Sequence, residues 1–560
     1  MNKEIQCLRR TRWLKLRVGH PQRESSAPTG TKAVGLLALA TVVIAFPANG
    51  GPEPAPSAQA DAAAASTTAT AAIDIGSRRE LFVDEFLIER RAGVELRLHA
   101  PTPREVVMVC DAPWEGTGSG YETVFRDGPI LRMYYIAADL TNADGTKMAS
   151  RPLFACYAES RDGIRWVKPD LGLFEYGGSK HNNIVWSGPN LDNFTPFKDP
   201  NPDCRPGEQY KAVSSGPGGL WAYKSDDGLH WSPLADQPII TKGAFDTQNN
   251  AFWDPVRRHY WCYIRDFHNG IRDIRVATSP DFRAWTEPVL LRYGDAPDEA
   301  LYTNQILPYH RAPHLLLGFP TRYVERTWAP AMKALPDPEH RRGRMTFHPR
   351  YGTAITDGLF MSSRDGHTFR RFDEAFLRPG PERRGNWVYG DCYQSLGLIE
   401  MPAPDPSAPP ELAFYVGENH WIGPKQLRRH TLRIDGFASL SARSHGEFLT
   451  KTLTFSGKEL VLNFSTSAAG HIRVELQDSA GHPIPGFGLD DSDEIFGDTL
   501  ERVVTWRNQS DVSALAGRAI RLRVAMRDAD IYSLTFRLPK GESDGSPMAS
   551  LRQRRRRFAE

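Results

Sequence analysis

Short apolar runs recur along the chain, and each is followed by the same kind of polar turn. The runs FACYA, LWAYK, IRVAT and GLFM precede four copies of a Ser-x-Asp-Gly-x-x-Trp pattern, at residues 160–166, 225–231, 279–285 and 363–369. In this pattern Asp bonds nearby backbone amides and Gly tolerates a positive φ, which suits a tight turn. The third copy has Phe282 at the Gly position, and the fourth ends in Phe369. A repeated strand–turn–strand unit of long period predicts a β-propeller.

The pattern repeats loosely five times over residues 73–445, with three recognisable strands and an outer fourth strand in each unit. Each unit therefore corresponds to a propeller blade. Because a blade cannot bury both faces alone, the ring has to close. We expect the apolar segment 80–88 to complete the final blade and cover its edge.

Residues 446–537 change character, because apolar and polar residues alternate there over long runs such as GHIRVELQD and AIRLRVAMRD. Alternation of this kind is typical of half-exposed strands in an antiparallel sandwich. The acidic loop at 490–494 is interpreted as a solvated loop or an interdomain cap rather than a calcium site. The predicted fold is all-β: a five-bladed β-propeller followed by a C-terminal β-sandwich.

The sequence at the two ends of the chain is not predicted to belong to the propeller or the sandwich. Residues 1–48 form a predicted signal or leader segment, with the apolar stretch 34–46 preceded by eight Lys and Arg residues. Residues 49–72 are a low-complexity linker, and 538–560 form a basic tail predicted to be disordered. The leader predicts export to the periplasm or the extracellular space. An uncleaved leader that anchors the protein in a membrane is the alternative.

Composition narrows the classes of partner. The 560 residues carry a net charge of +2, so no bulk charge favours nucleic acid binding. The six cysteines are scattered without CxxC spacing, which favours small buried residues, with at most one disulfide, over a metal site. The sequence thus predicts no metal and no cofactor, and it does not determine the oligomeric state.

Carboxylates recur where the inner strand of each predicted blade begins. The five are Glu122, Asp199, Asp246, Glu299 and Asp391. Each alone is accounted for by a turn or an ion pair. Together they would meet in the central funnel, where close carboxylates split in pKa so that one is protonated and another ionised. Glycoside hydrolysis needs that combination of an acid and a base or nucleophile.

Other polar and aromatic residues accompany these carboxylates. Faces of Trp and Tyr stack on sugar rings, although the same residues also fill blade cores. Arg265 and Arg322 follow middle strands and could bind substrate hydroxyls or a carboxylate, although structural ion pairs explain them equally well. The candidate substrate-binding residues are Trp114, Arg265, Tyr302, Asn304, Arg322, Trp387, Tyr389 and Asp391.

The five units, the Ser-x-Asp-Gly turns and the motif Phe197-Lys198-Asp199-Pro200 together resemble glycoside hydrolase family 32, and more broadly families 43 and 68. The resemblance spans roughly residues 80–537 and implies a propeller plus sandwich. It implies that Asp199 stabilises the transition state, as in the family's second-blade Arg-Asp-Pro element. The family's first-blade and third-blade motifs are absent from this sequence. Glu122 and Asp246 therefore correspond to the family's acidic residues only in the blade they belong to, and Glu299 lies one blade further on.

Three functions are compatible with this sequence. The first is an exported glycoside hydrolase whose catalytic residues come from Glu122, Asp199, Asp246 and Glu299, with a carbohydrate as its only expected partner. The second is a carbohydrate-binding propeller without catalysis. The third is a sialidase-type enzyme, because the turns resemble Asp boxes. That class uses an arginine cluster, a tyrosine nucleophile and six blades, whereas five units are present here.

Overall fold

Strands account for nearly all regular structure in the described part of this protein. A computed structural model describes residues 71–141 and 153–538. The predicted leader, most of the predicted linker and most of the predicted tail lie outside the described residues. Four short strands come first: β1 (Ile73–Gly76), β2 (Glu80–Leu81), β3 (Ile88–Ala92) and β4 (Glu95–Leu98). The longer strand β5 (Thr102–Cys110) leads into the repeated units.

The first three repeated units are four-stranded antiparallel sheets whose strands pair in chain order. Blade 1 consists of β6 (Gly120–Asp127), β7 (Ile130–Ala137), β8 (Phe154–Ser160) and β9 (Ile184–Trp186). Blade 2 consists of β10 (Thr195–Lys198), β11 (Tyr210–Gly216), β12 (Gly219–Ser225) and β13 (Ser232–Pro233). Blade 3 consists of β14 (Asn250–Asp254), β15 (His259–His268), β16 (Ile271–Ser279) and β17 (Val289–Leu290).

Blade 4 differs from these three because it contains an insertion. Its four strands are β18 (Leu307–Tyr309), β19 (Ala312–Gly318), β22 (Met361–Ser363) and β23 (Phe369–Arg371). Between β19 and β22 the chain forms a separate two-stranded ladder of β20 (Thr321–Glu325) and β21 (Ala354–Gly358). The residues joining that ladder contain helices α1 (Pro330–Ala334), α2 (Pro338–Met345) and α3 (Pro349–Thr353).

We call residues 326–353 the helical insertion. Each of its three helices carries a proline in its first turn, where the missing N–H costs no hydrogen bond. Within the part of the chain that the structure describes, no helix is long and apolar enough to cross a membrane.

Blade 5 is closed by a strand from the opposite end of the propeller sequence. It pairs β24 (Ile399–Met401), β25 (Glu411–Glu418) and β26 (Lys425–Arg433) with β5. The prediction that segment 80–88 completes this blade is wrong, because only Glu80–Leu81 of that segment is a strand before Ile88, and β2 pairs outside the propeller. The chain bends after Leu81, where the Asp84 carboxylate accepts the backbone N–H of Phe86. With this closure, five four-stranded blades form the predicted five-bladed propeller.

Adjacent blades pack face to face through apolar cores. The core between blades 1 and 2, for example, contains Tyr134 and Tyr157 from the first blade and Tyr223 from the second. Trp231, from the second Ser-x-Asp-Gly turn, is also buried in this core, 5.1 Å from the ring of Phe194. The aromatic residue of the turn therefore packs into the interface between blades.

The Asp of each repeated turn behaves as its sequence predicts. Asp227 accepts backbone N–H bonds of 2.8 Å from both Leu229 and His230. Gly228, with φ +80°, takes the left-handed conformation that glycine tolerates best. In the third copy Phe282 adopts φ +65° at the same position, and its ring is fully buried in the core of blades 2 and 3.

Residues after blade 5 form a mostly antiparallel sheet with the first described strands of the chain, one pair of which is parallel. Its C-terminal members are β27 (Ala438–Thr450), β28 (Leu453–Phe455), β29 (Glu459–Asp478), β30 (Asp498–Val503) and β31 (Ile520–Arg537), with a 3-10 helix at Ser513–Leu515. The chain's first strands β1 to β4 complete a connected nine-stranded sheet. The two longest strands, β29 and β31, pair along most of their length around a bulge. The sheet encloses one apolar core that includes Trp506 and Phe536.

Candidate functional site

Every blade has a non-glycine residue with left-handed backbone in its inner strand or in the segment that leads into that strand. Examples are Tyr121 (φ 57°), Asn193 (64°), Phe245 (50°), Gln305 (45°) and Cys392 (60°). Positive φ is uncommon for such residues and costs free energy, and strained positions of this kind cluster at binding and active sites. Because left-handed backbone recurs in or before the inner strand of all five blades, this end of the ring is the candidate site.

Amide side chains from different blades meet at the centre of this end. The Gln248 side-chain N–H donates to the Thr123 hydroxyl at 2.9 Å. Gln305 donates to the Gln248 amide oxygen at 2.7 Å and to the Gln394 backbone oxygen at 2.8 Å. Blades 1, 3, 4 and 5 are thereby joined, which is possible only near the axis of the ring.

Tyrosines surround these amides, and we call them the tyrosine cluster. The Tyr389 hydroxyl donates to the Tyr302 hydroxyl at 2.8 Å. Tyr302 lies 5.6 Å from the ring of Tyr393, which in turn lies 6.2 Å from that of Tyr121. Burial raises the pKa of these hydroxyls, so they remain neutral donors and acceptors at physiological pH. The cluster consists of Tyr121, Tyr302, Tyr323, Tyr351, Tyr389 and Tyr393.

Arg265, on β15, connects this cluster to two carboxylates. Its side chain is buried, with the guanidinium 5.4 Å from the centroid of the Tyr302 ring. It forms an ion pair with Asp246, whose side chain is 64% exposed. It also faces Asp192 electrostatically: burial raises the pKa of Asp192 to about 6, and the charge of Arg265 limits that rise. One arginine thus influences two carboxylates in different surroundings, an exposed one and a buried one.

Asp192 precedes the inner strand of blade 2, and its backbone is held tightly. Its N–H donates to the Ser214 hydroxyl at 3.1 Å, and its carbonyl accepts the Ser215 N–H at 2.9 Å. The following residue, Asn193, is the left-handed residue of this blade. These constraints fix the backbone of Asp192 at the mouth of the funnel.

The loop before the inner strand of blade 5 contributes Trp387, Tyr389 and Asp391. The Trp387 N–H donates to the Asp391 carboxylate at 2.8 Å, and the Trp387 carbonyl accepts from Arg341 of the helical insertion at 2.9 Å. Burial raises the pKa of Asp391 to about 7, although bonds from the Trp387 and Cys392 backbone N–H groups lower it. Asp391 is therefore partly protonated near neutral pH.

Glu122 lies beside the tyrosine cluster in a buried ion pair. Its carboxylate is 2.8 Å from the ammonium group of Lys425, and each side chain is only 2% exposed. The charge of Lys425 also contributes to the low pKa of His420, after burial as the main cause. The ring of His420 packs 5.8 Å from that of Tyr393, which places the ion pair next to the cluster.

The helical insertion contacts the same side of the propeller. Arg344, on α2, donates to the Tyr389 carbonyl at 2.6 Å and stacks 4.3 Å from the centroid of the Trp421 ring. The ring of Tyr351 lies 5.6 Å from that of Tyr389. The insertion therefore forms one wall of the candidate site.

The structure brings seven of the residues predicted from the sequence to this end of the ring. Asp246, Arg265, Tyr302 and Tyr389 are linked by the contacts described above. Trp387 and Asp391 join through the same loop as Tyr389. Glu122 is adjacent to Tyr121 and to the pair with Lys425.

Asp199 is placed elsewhere, because it follows β10 instead of starting it. The prediction that it begins the inner strand is wrong, because the strand begins at Thr195 and ends before the Lys-Asp-Pro motif. Its carboxylate contacts the Lys211 ammonium at 2.5 Å and accepts the Tyr260 hydroxyl at 2.6 Å. These contacts account for Asp199 as a structural group between blades 2 and 3.

Glu299 and Arg322 form an ion-pair network in blade 4. Arg322 contacts Glu299 at 2.9 Å and Asp357 at 2.7 Å. Glu299 also lies 3.3 Å from Arg371 and lines a cavity of about 10 Å³ with His268 and Tyr293, too small for a sugar. These contacts favour the interpretation of Arg322 as part of a structural ion pair.

Trp114 and Asn304 serve the blades themselves. The Trp114 indole donates to the Asn183 side chain at 2.8 Å, and its ring packs against the core between blades 5 and 1. The Asn304 amide donates to the Tyr263 carbonyl at 3.3 Å, and its oxygen accepts the Ile306 N–H. Both contacts hold loops against strands.

Sequence reasoning missed Asp192, Tyr323, Tyr393, Arg344 and Lys425. Asp192 lies in the loop before Thr195, where no repeated motif marks it. The others come from a middle strand, a loop or the insertion, where no repeated position marks them. Among residues 71–141 and 153–538, no three His, Cys, Asp or Glu side chains are grouped so as to hold a metal ion.

Solved structures with a similar fold include sugar-cleaving enzymes. The catalytic domain of a GH62 alpha-L-arabinofuranosidase from Coprinopsis cinerea has a TM-score of 0.38 and 10% identity, covering 60% of this chain and 97% of that chain. A GH32 beta-fructofuranosidase of Bombyx mori has a TM-score of 0.34 and 9% identity, covering 82% and 97%. A fructofuranosidase of Schwanniomyces occidentalis complexed with fructosylnystose has a TM-score of 0.34 and 11% identity, covering 79% and 99%.

No protein-family model matches the chain, and no curated protein sequence matches it. What this chain does has to be argued from its own contacts.

Proposed function

We propose that this protein is a glycoside hydrolase whose active site lies at the tyrosine cluster. The observation that supports this most directly is the pair of carboxylates that interact with Arg265: Asp246 through an ion pair and Asp192 electrostatically. Asp246 is exposed and ion-paired with Arg265, so it is ionised. Burial raises the pKa of Asp192 to about 6, so it is partly protonated near neutral pH. Glycosidases need one carboxylate in each state.

The proposed reaction assigns one role to each carboxylate. The Asp192 carboxylic acid transfers its proton to the glycosidic oxygen while the bond from that oxygen to the anomeric carbon breaks. In a retaining reaction the Asp246 carboxylate forms a bond to the anomeric carbon. In an inverting reaction it takes a proton from the water molecule that attacks the anomeric carbon. In the retaining case, water then releases the sugar and Asp192 regains its proton.

The tyrosine cluster would bind the sugar. Aromatic faces cover the apolar side of a sugar ring, and neutral hydroxyls donate to its oxygens. Arg265 would hold Asp246 in its ionised form. The contacts of Asp199 with Lys211 and of Glu299 with Arg322 favour structural roles for those two predicted catalytic residues.

Substitution of the two carboxylates tests this assignment. Purified protein is assayed against plant and algal oligosaccharides, followed by Asp192→Asn and Asp246→Asn. Loss of a general acid or base lowers the rate by roughly 10²–10⁴-fold, so we expect kcat to fall at least a hundredfold in each variant. Asp405→Asn is the matched control, because Asp405 is exposed and its carboxylate accepts bonds from Ser407 in a loop. Full activity in both site variants would refute the assignment.

A non-catalytic carbohydrate-binding propeller is the second candidate. It is favoured by the neutralisation of Asp246 by Arg265, which weakens Asp246 as a nucleophile. Glycan binding without turnover, lost on Tyr302→Ala, would support this candidate over the hydrolase.

Export and the arrangement of the C-terminal sheet complete the proposal. We infer from the leader that the protein reaches the periplasm or the extracellular space, with a membrane anchor as the alternative. We also infer that the nine-stranded sheet folds into a β-sandwich around its single core. N-terminal sequencing of the protein from secreted, periplasmic and membrane fractions tests the first inference, because an intact leader in the membrane fraction indicates anchoring.

A further inference from the structure

Three arginines surround Tyr323 without an ion pair to any carboxylate in the described residues: Arg272, Arg344 and Arg350. The Arg272 guanidinium lies 4.4 Å from the centroid of the Tyr323 ring. Arg344 and Arg350 act electrostatically on the same tyrosine. Three unpaired positive charges around one side chain repel one another, so they need an external reason to be held together.

Arg344 carries the strongest evidence. Its side chain is 0% exposed, and Nη2 bonds the Tyr389 carbonyl. Its Nε and Nη1 atoms have no hydrogen-bond partner among residues 71–141 and 153–538. Burying a guanidinium with unpaired N–H groups costs free energy, and burial lowers the pKa of Arg344 to about 9. A bound anion would remove that cost.

Other unpaired donors face the same region. Within the part of the chain that the structure describes, the buried Nε atoms of Arg272 and Arg350 lack a hydrogen-bond partner, as does the hydroxyl of Tyr323. The indole N–H of Trp421, which Arg344 stacks on, is likewise unpaired. The donors come from blade 3, blade 4, the helical insertion and the blade 5 loop, so they converge from four directions.

Stacking on aromatic rings explains only part of this arrangement. Cation–π contact satisfies the faces of the guanidinium groups. It leaves their N–H edges unpaired, and these edges bind oxyanions in a planar, two-pronged geometry. Of the nearby carboxylates, Glu325 is exposed at the end of β20 and forms no ion pair with these arginines in the described part of the chain.

We propose that Arg272, Arg344, Arg350 and Tyr323 bind an oxyanion of the glycan, so that the substrate is an acidic saccharide with a carboxylate or sulfate group. The inference rests on the proposed function, because it places the oxyanion subsite beside the carboxylates of Asp192 and Asp246. The anion would bridge α2 of the helical insertion to the strands of blades 3 and 4. A neutral sugar would leave the arginines unpaired.

Calorimetric titration of the full chain tests this at constant ionic strength. The probes are D-galacturonate, D-galactose and sodium sulfate, with sodium chloride as the ionic-strength control. We expect galacturonate to bind and galactose to bind at least tenfold more weakly. Binding of sulfate in competition with galacturonate would show a general oxyanion site, whereas binding of galacturonate alone would show a carboxylate site; both outcomes support the proposal.

Variants locate the binding. A hydrogen bond to a charged group contributes roughly 1.5–3 kcal/mol, so Arg344→Gln should weaken galacturonate binding by roughly tenfold to a hundredfold. Arg342→Gln is the matched control, since Arg342 lies on the same helix but is exposed and stacks near Trp328. Arg272→Gln provides a second test from outside the insertion, should loss of Arg344 disturb the fold.

The outcomes separate this inference from the proposed function. Equal affinity for galactose and galacturonate, or equal weakening by Arg342→Gln and Arg344→Gln, would overturn the oxyanion subsite even if neutral oligosaccharides are hydrolysed. Galacturonate binding lost in Arg344→Gln and Arg272→Gln, without turnover of any oligosaccharide, would sustain the subsite and refute the hydrolase.

Discussion

Asp192, Asp246 and Asp391 carry the same side chain in three different surroundings. Asp246 is mostly exposed and paired with Arg265. Burial raises the pKa of Asp192 to about 6 and that of Asp391 to about 7, because a buried carboxylate is costly to ionise. The protonation state of each residue is therefore set by its neighbours and not by its position in a motif.

The raised pKa of Asp391 predicts a pH effect on stability. The folded protein holds this proton up to about pH 7, whereas the unfolded chain releases it near pH 4. Between these values the native chain loses stability as pH rises, by about 1.4 kcal/mol per pH unit for one proton. Asp391→Asn removes this proton equilibrium and keeps one acceptor for the Trp387 N–H.

Urea unfolding of both proteins from pH 4 to pH 8 measures the effect. The free energy of unfolding of Asp391→Asn should rise relative to that of the native chain over pH 4 to 7 and then level off. A difference independent of pH would show that Asp391 has an ordinary pKa.

The buried pair of Glu122 and Lys425 predicts strong coupling. Lys425→Met leaves the Glu122 carboxylate buried without its partner, which should cost about 3–5 kcal/mol of unfolding free energy. Glu122→Gln combined with Lys425→Met removes both charges and should recover much of that loss. Denaturant titrations of the single and double variants measure the coupling, and additive losses would contradict it.

Residue chemistry was partly predictable from the sequence. The repeated pattern directed attention to carboxylates near the inner strands, and Asp246 and Asp391 do lie there. Asp199 was predicted to begin the inner strand, but it follows the end of that strand. A Lys-Asp-Pro sequence is equally compatible with a turn after a strand. Asp192 was missed because a carboxylate in a loop gives no sign in sequence of how deeply it will be buried.

At the scale of elements, the repeated turn is the unit that builds the ring. Its Asp caps the turn, its glycine takes positive φ, and its aromatic residue fills the interface between blades. Phe282 shows that a blade accepts the strain of φ +65° when the side chain gains a buried position in the core.

The fourth turn therefore predicts a position-dependent cost for alanine. Gly366 has φ +79°, and a Cβ there would lie 2.4 Å from the Trp261 ring. Gly172 has φ +67° with no atom within 4 Å of such a Cβ. Both substitutions should lower the free energy of unfolding by about 1–2 kcal/mol, because alanine disfavours left-handed backbone. Gly366→Ala should lower it by roughly a further 1–3 kcal/mol, because the added Cβ overpacks the core.

Thermal and urea unfolding of Gly366→Ala and Gly172→Ala measure the two costs. Gly366→Ala should be the less stable variant. Equal losses would show that Trp261 moves away freely and that the turn does not set the interface.

Strands of the blades were predictable, whereas the helical insertion was not. Period-two runs and turns repeat, so five units can be counted without the structure. The helices α1 and α3 have only five residues each, too short to show a helical period, and α2 has eight. Prolines at 330, 338 and 349 were the available signals, since proline favours the first turn of a helix.

At the scale of the whole molecule, Asp435 joins the propeller to the nine-stranded sheet. Its carboxylate, fully buried, accepts the Tyr309 hydroxyl at 2.6 Å and the Ser533 hydroxyl at 2.9 Å. It also pairs with Arg79 at 3.3 Å and Arg311 at 3.0 Å. Blade 4, the first segment of the chain and the last strand therefore meet at one carboxylate.

Removing this carboxylate should destabilise both parts of the molecule. Asp435→Ala leaves Arg79 and Arg311 without their buried partner, and we expect a loss of about 3–5 kcal/mol. Asp405→Ala, at an exposed loop position, should stay within about 0.5 kcal/mol of the native chain. Differential scanning calorimetry compares them, and an unchanged melting temperature for Asp435→Ala would contradict a structural role.

The closure of the ring illustrates what sequence reasoning could not reach. Every blade strand from β6 to β25 pairs with a strand nearby in the chain, so local patterns reveal it. The pairing of β5 with β26 joins residues more than 300 positions apart, for example Val109 with Gln426. No local pattern distinguishes β5 from segment 80–88 as the partner, since both are apolar enough to form strands.

The pairing of β2 with β31 has a consequence for biosynthesis. Glu80 lies opposite Leu534. The strand at Glu80 is therefore translated early, but it cannot pair until the segment around Leu534 has also been translated. The ribosome must therefore deliver nearly the whole chain before the nine-stranded sheet can form. Until then the nascent protein exposes unpaired strand edges, which makes it a natural client for chaperones that hold such edges apart.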